Sequence, residues 1–507
     1  MAFDPDRFDL ADVLRHYAAA RPAAPCLTYG ERTLTFHELD ERSSRAANAL
    51  RDAGVGVGDR VVIVARNAPV FYELVFACAK AGAVLVPVNW RLSAREVEEI
   101  LEDAAPRLVI AGAEQRAMTP TGHAVPCLTL EDDYEAWRDR ASADDPQHRS
   151  QPDDVIALLY TSGTTGRAKG VMISHRNLAY TERMAREAWS FGSASVNLVA
   201  MPLFHIGGLG YGLMALTQGG HTVLMQQPVP GPTLDAIARH RVTHAFFVPT
   251  VIQSLVNHPG VDAMPLKSLE RLVYGASPIT ETLLRRALEV FGCGFNHAYG
   301  MTETAGTVIT LQPHEHDPGG PHAARLRSCG RRLPWVELAL VDPATGERVP
   351  TGTVGEIRVR SPLVTRGYWR RPQDTAAAID ADGWLRTGDA AVQDADGYVY
   401  IRDRYKDMIV SGGENVFPAE VENVLGRHPG VAEIAVIGAP HERWGETVKA
   451  VVVPAPGAQP TAAELVAFAR ERLAHYKCPT IVEFVPALPK SSAGKILKRE
   501  LRGTGPA

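Results

Sequence analysis

The first 115 residues alternate continuous β-branched runs with amphipathic helical stretches, and that alternation constrains the fold more than any other feature of the chain. The order is "DRVVIVA" (59–65), a helical stretch through "FYELVFACAKAG", "AVLVPVN" (83–89), a helical stretch after Ser93, then "RLVIAG" (107–112). Apolar strands without polar alternation, separated by helices, belong in a parallel sheet covered on both faces. Ser93 and Glu96 have the spacing of a capping box, so "AREVEEILEDA" carries a start signal as well as a helical period. A chain of 507 residues exceeds one core, and at roughly 100–200 residues per domain it implies at least three packed units.

Further along, the polar stretch "ASADDPQHRSQPDD" (141–154) reads as an exposed linker, and a second run of strands and helices follows to about residue 312. Residues 335–403 change character: short strands such as "GEIRVR" and "GYVYIRDR" alternate with Gly, Pro and Asp turns, as in a small β-rich unit. The last hundred residues have their own order. Helix "PAEVENVLGRH" opens with Pro418, strands "VAEIAVIG" and "VKAVVVPA" follow, then a helix behind the Thr461/Glu464 capping box and strand "TIVEFV". The expected fold class is α/β. A large N-terminal domain of parallel βαβ-type sheets with a small β-rich subdomain (1–403) is joined through "RDRYKDM" to a small α+β C-terminal domain (409–507).

Composition excludes several classes of partner. A net charge of -5 gives no basic footprint for nucleic acid or acidic membranes, and 45% hydrophobic with 22% charged residues is ordinary for a globular chain. "MAFDPDRFDL" places acids where a signal peptide needs an apolar stretch, and no window reaches the 18 apolar residues of a membrane span, so a cytoplasmic protein without a transmembrane segment is expected. Six scattered cysteines with no C-x-x-C pair read as reduced structural thiols. "HEHDPGGPH" (314–322) has too much Pro and Gly for a fixed metal shell, and the two copies of "DADG" lack the remaining ligands of a calcium loop and read as hairpin turns.

The segment "TSGTTGRAKG" (161–170) follows the apolar run "VIALLY". Glycine removes the Cβ that keeps a ligand off the backbone, and Thr and Ser add hydroxyl donors, so such a loop can wrap phosphate oxygens. It is not a P-loop: Ala168 stands where that motif needs its second glycine, and Gly170 where it needs Ser or Thr. Nor does "GGLGYG" (207–212) satisfy G-x-G-x-x-G, because Leu213 falls at the last place.

Extended to "YTSGTTGRAKGVMISHRN", the segment resembles the phosphate-binding signature of the adenylate-forming superfamily of acyl-CoA synthetases, peptide-synthetase adenylation domains and luciferases. "YGMTET" (299–304), "GWLRTGD" (383–389), "YIRDRYKDMIVSGGENVFPAEVE" (400–422) and "PKSSAGKILKRELR" (489–502) are similar to the same family in the same order, and the likeness runs from about residue 12 to 502. The "SGGENVFPAEVE" wording is most similar to fatty acid and aryl acid CoA ligases.

The resemblance implies an ATP-dependent carboxylic acid:CoA ligase that uses ATP, Mg²⁺ and coenzyme A. A carboxylate attacks the α-phosphate, giving an acyl-adenylate and pyrophosphate, and CoA thiolate then displaces AMP. Thr161, Ser162, Gly163, Thr164, Thr165 and Lys169 would surround the β- and γ-phosphates, where attack by an anion on a polyanion needs donors and positive charge in place beforehand. Ala168 departs from the proline usual before that lysine. Gly275, Ala276 and Ser277 would form the adenine-side loop, Tyr299 would stack on adenine, Gly300 would belong to the same nucleotide site, and Thr302 would bond the α-phosphate. Glu303 would be the Mg²⁺ ligand, and Asp389 and Arg404 would hold the ribose. His297 stands where the family often has an amide.

Lys495 is implied as the lysine that bridges the carboxylate and the α-phosphate. Lys406, within 404–408, is the implied hinge of a mobile C-terminal domain, whose loop Ser411, Gly412, Gly413 and Glu414 then lines a pantetheine tunnel. Trp444 is a CoA contact or a packing residue, and His205 would sit near the substrate carboxylate.

The segments implied to line the acyl pocket (205–216, 246–252, 274–277 and 299–309) contain no Lys or Arg. Four glycines between 207 and 212 remove side-chain volume, while Met214, Phe246, Val248 and Ile252 offer apolar wall. The expected small-molecule partner is a medium-chain or longer fatty acid, or a flat aromatic monocarboxylic acid. Three alternatives stay open: transfer of the acyl group to a carrier protein, transfer to an amine, and a nucleotide-binding protein without catalysis. The resemblance also leaves a homodimer open.

Overall fold

The central strands Arg60–Val64, Val84–Val88 and Leu108–Ala111 are apolar almost throughout, as strands of a parallel sheet covered on both faces are, and Val84–Val88 is buried at all five positions. The computed structural model describes residues 3–119, 125–162, 168–404, 407–411, 414–442, 444–490 and 496–502. A six-stranded sheet runs Cys127–Thr129, Leu108–Ala111, Arg60–Val64, Val84–Val88, Val155–Ser162, Ala168–Ser174. Its pairs are parallel except the last, an antiparallel hairpin. A nine-stranded sheet runs Arg331–Arg332, Gly306–Leu311, Gly294–Met301, Arg271–Gly275, His244–Phe247, Val196–Val199, His221–Leu224, Pro25–Tyr29, Arg32–Thr35. It is parallel in its interior and antiparallel at both ends.

Helix Val70–Ala81 joins the two sheets. It is apolar around its circumference, and all 12 of its residues are buried in a core that takes side chains from both sheets. Its two ionic groups are paired: Lys80 Nζ lies 2.6 Å from Asp40 Oδ1 and 2.8 Å from Ser44 Oγ, and Glu73 meets Arg42 at 2.7 Å and Arg138 at 3.0 Å. Unpaired, either charge would be too expensive to bury there.

The four strands Glu337–Val341, Gly355–Arg360, Leu385–Gln393 and Val399–Arg404 form an antiparallel sheet in chain order, as the β-rich reading requires. In the C-terminal part Val431–His441 pairs antiparallel with Gly445–Pro454, Ile481–Phe484 adds in parallel, and helices Pro418–Leu425 and Ala462–Arg470 pack on a core of Val436, Val448, Ala450 and Val452. The capping boxes at Ser93/Glu96 and Thr461/Glu464 both form. The cysteines are free and mostly buried.

The 141–154 segment is not a loose linker. Ala141 and Ser150 are buried, Arg45 donates to the Ala141 carbonyl at 2.9 Å, Asn48 donates to the Ser142 and Asp144 carbonyls, and Arg15 forms an ion pair with Asp145. Its polar residues are the adhesive that straps it to the helices Leu10–Ala20 and Phe36–Asp52.

Candidate active site

The described ends of the segment expected to hold phosphates belong to the paired strands Val155–Ser162 and Ala168–Ser174, where Thr161 pairs with Lys169 and Ser162 with Ala168. Register therefore puts Lys169 directly across from the hydroxyl-bearing strand end. Gly163, Thr164, Thr165 and the side chain of Ser162 lie outside the described residues. Lys169 is largely buried, reaches Asp374 at 2.5 Å and lies 5.2 Å from the centre of the Tyr368 ring.

The residues expected on the adenine side meet through two parallel strands. Gly275 ends Arg271–Gly275 opposite Ala298, and a Cβ on Gly275 would lie 2.1 Å from the Ala298 carbonyl oxygen, so only glycine permits this approach. Ala276 follows at φ +65°, turning the chain toward Ser277. Next to Ala298, Tyr299 donates its hydroxyl to Asp389 Oδ2 at 2.7 Å, and burial, reinforced by that carboxylate, holds its phenol well above the usual range. Asp389 pairs in register with Arg404, whose side chain lies outside the described residues. The geometry thus gathers Gly275, Tyr299, Asp389 and the Arg404 backbone along one line. His297 faces Tyr274 edge-on at 4.9 Å, and burial lowers its pKa to about 3, so it is neutral near pH 7.

Thr302–Thr304 forms a single tight turn at the end of Gly294–Met301. Thr304 Oγ1 accepts from the Met301 amide at 2.9 Å and donates to the Gly306 carbonyl at 2.6 Å, while Gly300 is pressed against the Gly306 backbone. This turn fixes Thr302 and presents Glu303, which is 8% exposed. One Glu303 oxygen accepts from Tyr368 at 2.9 Å, and its backbone carbonyl accepts from the Thr365 amide at 2.8 Å. The second oxygen suits a hard cation. Among the described residues no group of three or more His, Cys, Asp or Glu side chains converges as a metal shell. One carboxylate with the remaining ligands drawn from nucleotide phosphates and water is the usual manner of holding Mg²⁺, so the donor set fits.

His205 caps the start of Ile206–Thr217, and its neighbour Ile206 reaches to within 3.9 Å of the Cβ direction of Gly306. That brings the helix against the Thr302–Thr304 turn. The glycines of this helix do not open a broad cavity. A Cβ on Gly208 would overlap the Pro202 carbonyl at 1.9 Å and one on Gly212 would meet the Tyr72 hydroxyl at 2.4 Å, so both serve close packing. Gly207 and Gly210 instead face the side chains of Phe246 and Ile206, each at 2.9 Å. Met214, Phe246 and Val248 belong to the core shared by both sheets, whereas Ile252 is buried in a separate core with Phe247 and cannot be wall for the same space.

In the C-terminal part Ser411 is buried and pairs with both Glu414 and Gly445, which places the turn carrying Trp444 beside the end of the strand Ile409–Ser411. Trp444 is 39% exposed and stacks on His441 at 4.3 Å. Gly412, Gly413, the Glu414 side chain, Lys406 and Lys495 lie outside the described residues. Lys498, in sequence merely another lysine near Lys495, is pinned to Glu422 at 2.8 Å and Asp403 at 3.6 Å. Sequence reasoning passed over Tyr368 and Asp374. Their only signal is "GYWRRPQDT", an aromatic before a helix that starts at Pro372 and an acid in its first turn.

The AMP-binding enzyme family matches residues 14–369, and the AMP-binding enzyme C-terminal domain matches 420–495. The fatty acid–[acyl-carrier-protein] ligase ScoC of Streptomyces coeruleorubidus is 41% identical over 97% of this chain and 96% of its own. A feruloyl-CoA synthase of an Amycolatopsis species is 43% identical over 96% of each chain. The o-succinylbenzoate CoA synthetase of Bacillus subtilis in complex with its acyl-adenylate superposes with a TM-score of 0.87 at 31% identity, covering 97% of this chain and 98% of that one. The chain belongs to the AMP-binding enzymes, the adenylate-forming superfamily of acyl-CoA synthetases, and is an AMP-forming acid–thiol ligase.

Proposed function

We propose that the protein activates an uncharged monocarboxylic acid, a medium-length fatty acid or a flat aromatic acid, and transfers it to CoA. The observation that carries the choice of acid is the neutral aromatic cluster around Tyr211, on the helix that follows His205. Tyr211 lies 5.4 Å from Phe246 and 5.9 Å from Phe191, with His244 4.0 Å from Phe191, and neither titratable group carries charge near pH 7. Burial lowers the His244 pKa to about 4 and raises the Tyr211 phenol far above its usual value.

In the first step a carboxylate oxygen forms a bond to the α-phosphorus, the bond to the bridging oxygen breaks, and pyrophosphate leaves. Lys169 and the hydroxyls from Thr161 to Thr165 hold the β- and γ-phosphates, Thr302 holds the α-phosphate, and Lys495 neutralises the charge meeting there. Asp389 and Arg404 hold the ribose, and Tyr299 and Gly275–Ser277 hold adenine. Glu303 would hold Mg²⁺, which supplies positive charge to the phosphates. In the second step the domain 409–507 turns about Lys406, the thiolate attacks the acyl carbon, the carbon–oxygen bond to AMP breaks, and AMP leaves. Ser411–Glu414 and Trp444 then border the pantetheine path, a placement supported by the pairing of Ser411 with Gly445.

No described helix is long and apolar enough to cross a membrane, and we place the enzyme in the cytoplasm. A second reading, transfer to a carrier-protein thiol, is favoured by the likeness to ScoC. Acid-dependent AMP release with free CoA and with phosphopantetheinylated carrier protein separates the two readings. Turnover with CoA alone supports the first, and turnover only with the carrier supports the second.

A further inference from the structure

Residues 365–375 form a strap between the phosphate-loop hairpin and the Glu303 turn. The Met172 amide donates to the Gly367 carbonyl at 3.1 Å, and the Trp369 amide donates to the Gly170 carbonyl at 2.8 Å. Thr365 binds both sides, its hydroxyl donating to the Met172 carbonyl at 2.6 Å and its amide to the Glu303 carbonyl. On this support Tyr368 places its ring 5.2 Å from the Lys169 ammonium and its hydroxyl 2.9 Å from the Glu303 carboxylate. Six residues on, Asp374 takes Lys169 at 2.5 Å, with only 14% of the lysine side chain and 33% of the aspartate side chain exposed.

A short ion pair screened from water on the lysine side is a real competitor for that ammonium, whereas the backbone on either side is tied down. Lys169 can therefore leave Asp374 by rotating its own side chain. We propose that Asp374 competes with the β- and γ-phosphates of ATP for Lys169. It yields the lysine when the triphosphate binds, and it recaptures the lysine as pyrophosphate departs. On this account Asp374 is a positioning residue. It weakens the ground-state hold on ATP and speeds release of pyrophosphate, and it leaves AMP, which has no β-phosphate, unaffected.

This inference rests on the reading of Lys169 as a phosphate ligand, and the test separates the two. Binding of the nonhydrolysable analogue AMPCPP with Mg²⁺, of AMP and of pyrophosphate is measured by calorimetry on the full chain carrying Asp374→Asn, Lys169→Ala or both. The expected result is AMPCPP and pyrophosphate affinity raised roughly threefold to tenfold by Asp374→Asn, with AMP unchanged and no gain when Lys169 is already Ala. Asp374→Glu, which keeps the charge, should bind all three ligands as the parent does, and Asp374→Ser substitutes if the asparagine variant does not fold. Unchanged or weaker AMPCPP binding in Asp374→Asn, alongside weaker binding in Lys169→Ala, overturns the competition. Unchanged AMPCPP binding in Lys169→Ala overturns the phosphate-ligand reading itself.

Discussion

Exchanging octanoate for suberate, the eight-carbon diacid, changes one end of the substrate and nothing else. The reacting carboxylate and the apolar path are the same, so the comparison isolates the far end of the acyl site. The proposal puts Tyr211, Phe246, Phe191 and Trp189 there, a buried cluster with ring separations of 5.4 to 6.3 Å about Tyr211. His244 cannot act as a counter-cation, because its pKa lies at about 4 and its Nε2 is bonded to the Trp189 carbonyl at 3.1 Å. A carboxylate forced into such surroundings carries an effective penalty of several kcal/mol, and a low value of about 3 kcal/mol already corresponds to a factor above a hundred in kcat/KM. The assay is acid-dependent AMP formation with CoA, both acids in parallel at pH 7.5. Octanoate should exceed suberate by at least about a hundredfold, and the ratio should shrink as the pH falls and the second carboxyl takes up its proton. Equal rates, or a preference for suberate, would refute the neutral-pocket reasoning.

Three further outcomes are expected. Lys495→Ala should lose acyl-adenylate formation by orders of magnitude yet still convert supplied acyl-adenylate and CoA to thioester, and an equal fall in both half-reactions would remove domain alternation from the account. Lys406→Pro, which fixes φ near -65° and restricts residue 405, should retain pyrophosphate exchange and lose thioester formation, with normal overall turnover the contrary result. Gly275→Ala must push back the Ala298 carbonyl, which would lie 2.1 Å from the new Cβ, so thermal stability should fall and the KM for ATP of the folded enzyme should rise at least tenfold, and an unchanged KM would detach this strand pair from the nucleotide.

Local signals were legible and long-range ones were not. Ser93 and Thr461 announce helix starts because the partner that completes each cap is three residues away. The 141–154 segment reads as linker since its composition is polar, and nothing nearby reveals that Arg15, Arg45 and Asn48 will bind it. The site divides in the same manner. Tyr299, Glu303 and Asp389 stand out through their motifs, but the bond between Tyr299 and Asp389 spans 90 residues and the pair Lys169–Asp374 spans 205, so neither partner marks the other in sequence. Glycines show where volume is missing and not what fills it. Tyr72 and the Pro202 backbone occupy two of the four spaces in the helix Ile206–Thr217.

The central claim is that a carboxylic acid is activated as its adenylate before any thiol takes part. Exchange of labelled pyrophosphate into ATP, measured without CoA across octanoate, a hydroxycinnamate, acetate and malonate, tests it most directly. Acid-dependent exchange should be strong with octanoate or the hydroxycinnamate, weak with acetate, which offers little apolar surface to bind, and weaker still with malonate. Exchange that requires CoA, or that is indifferent to the acid, would contradict it.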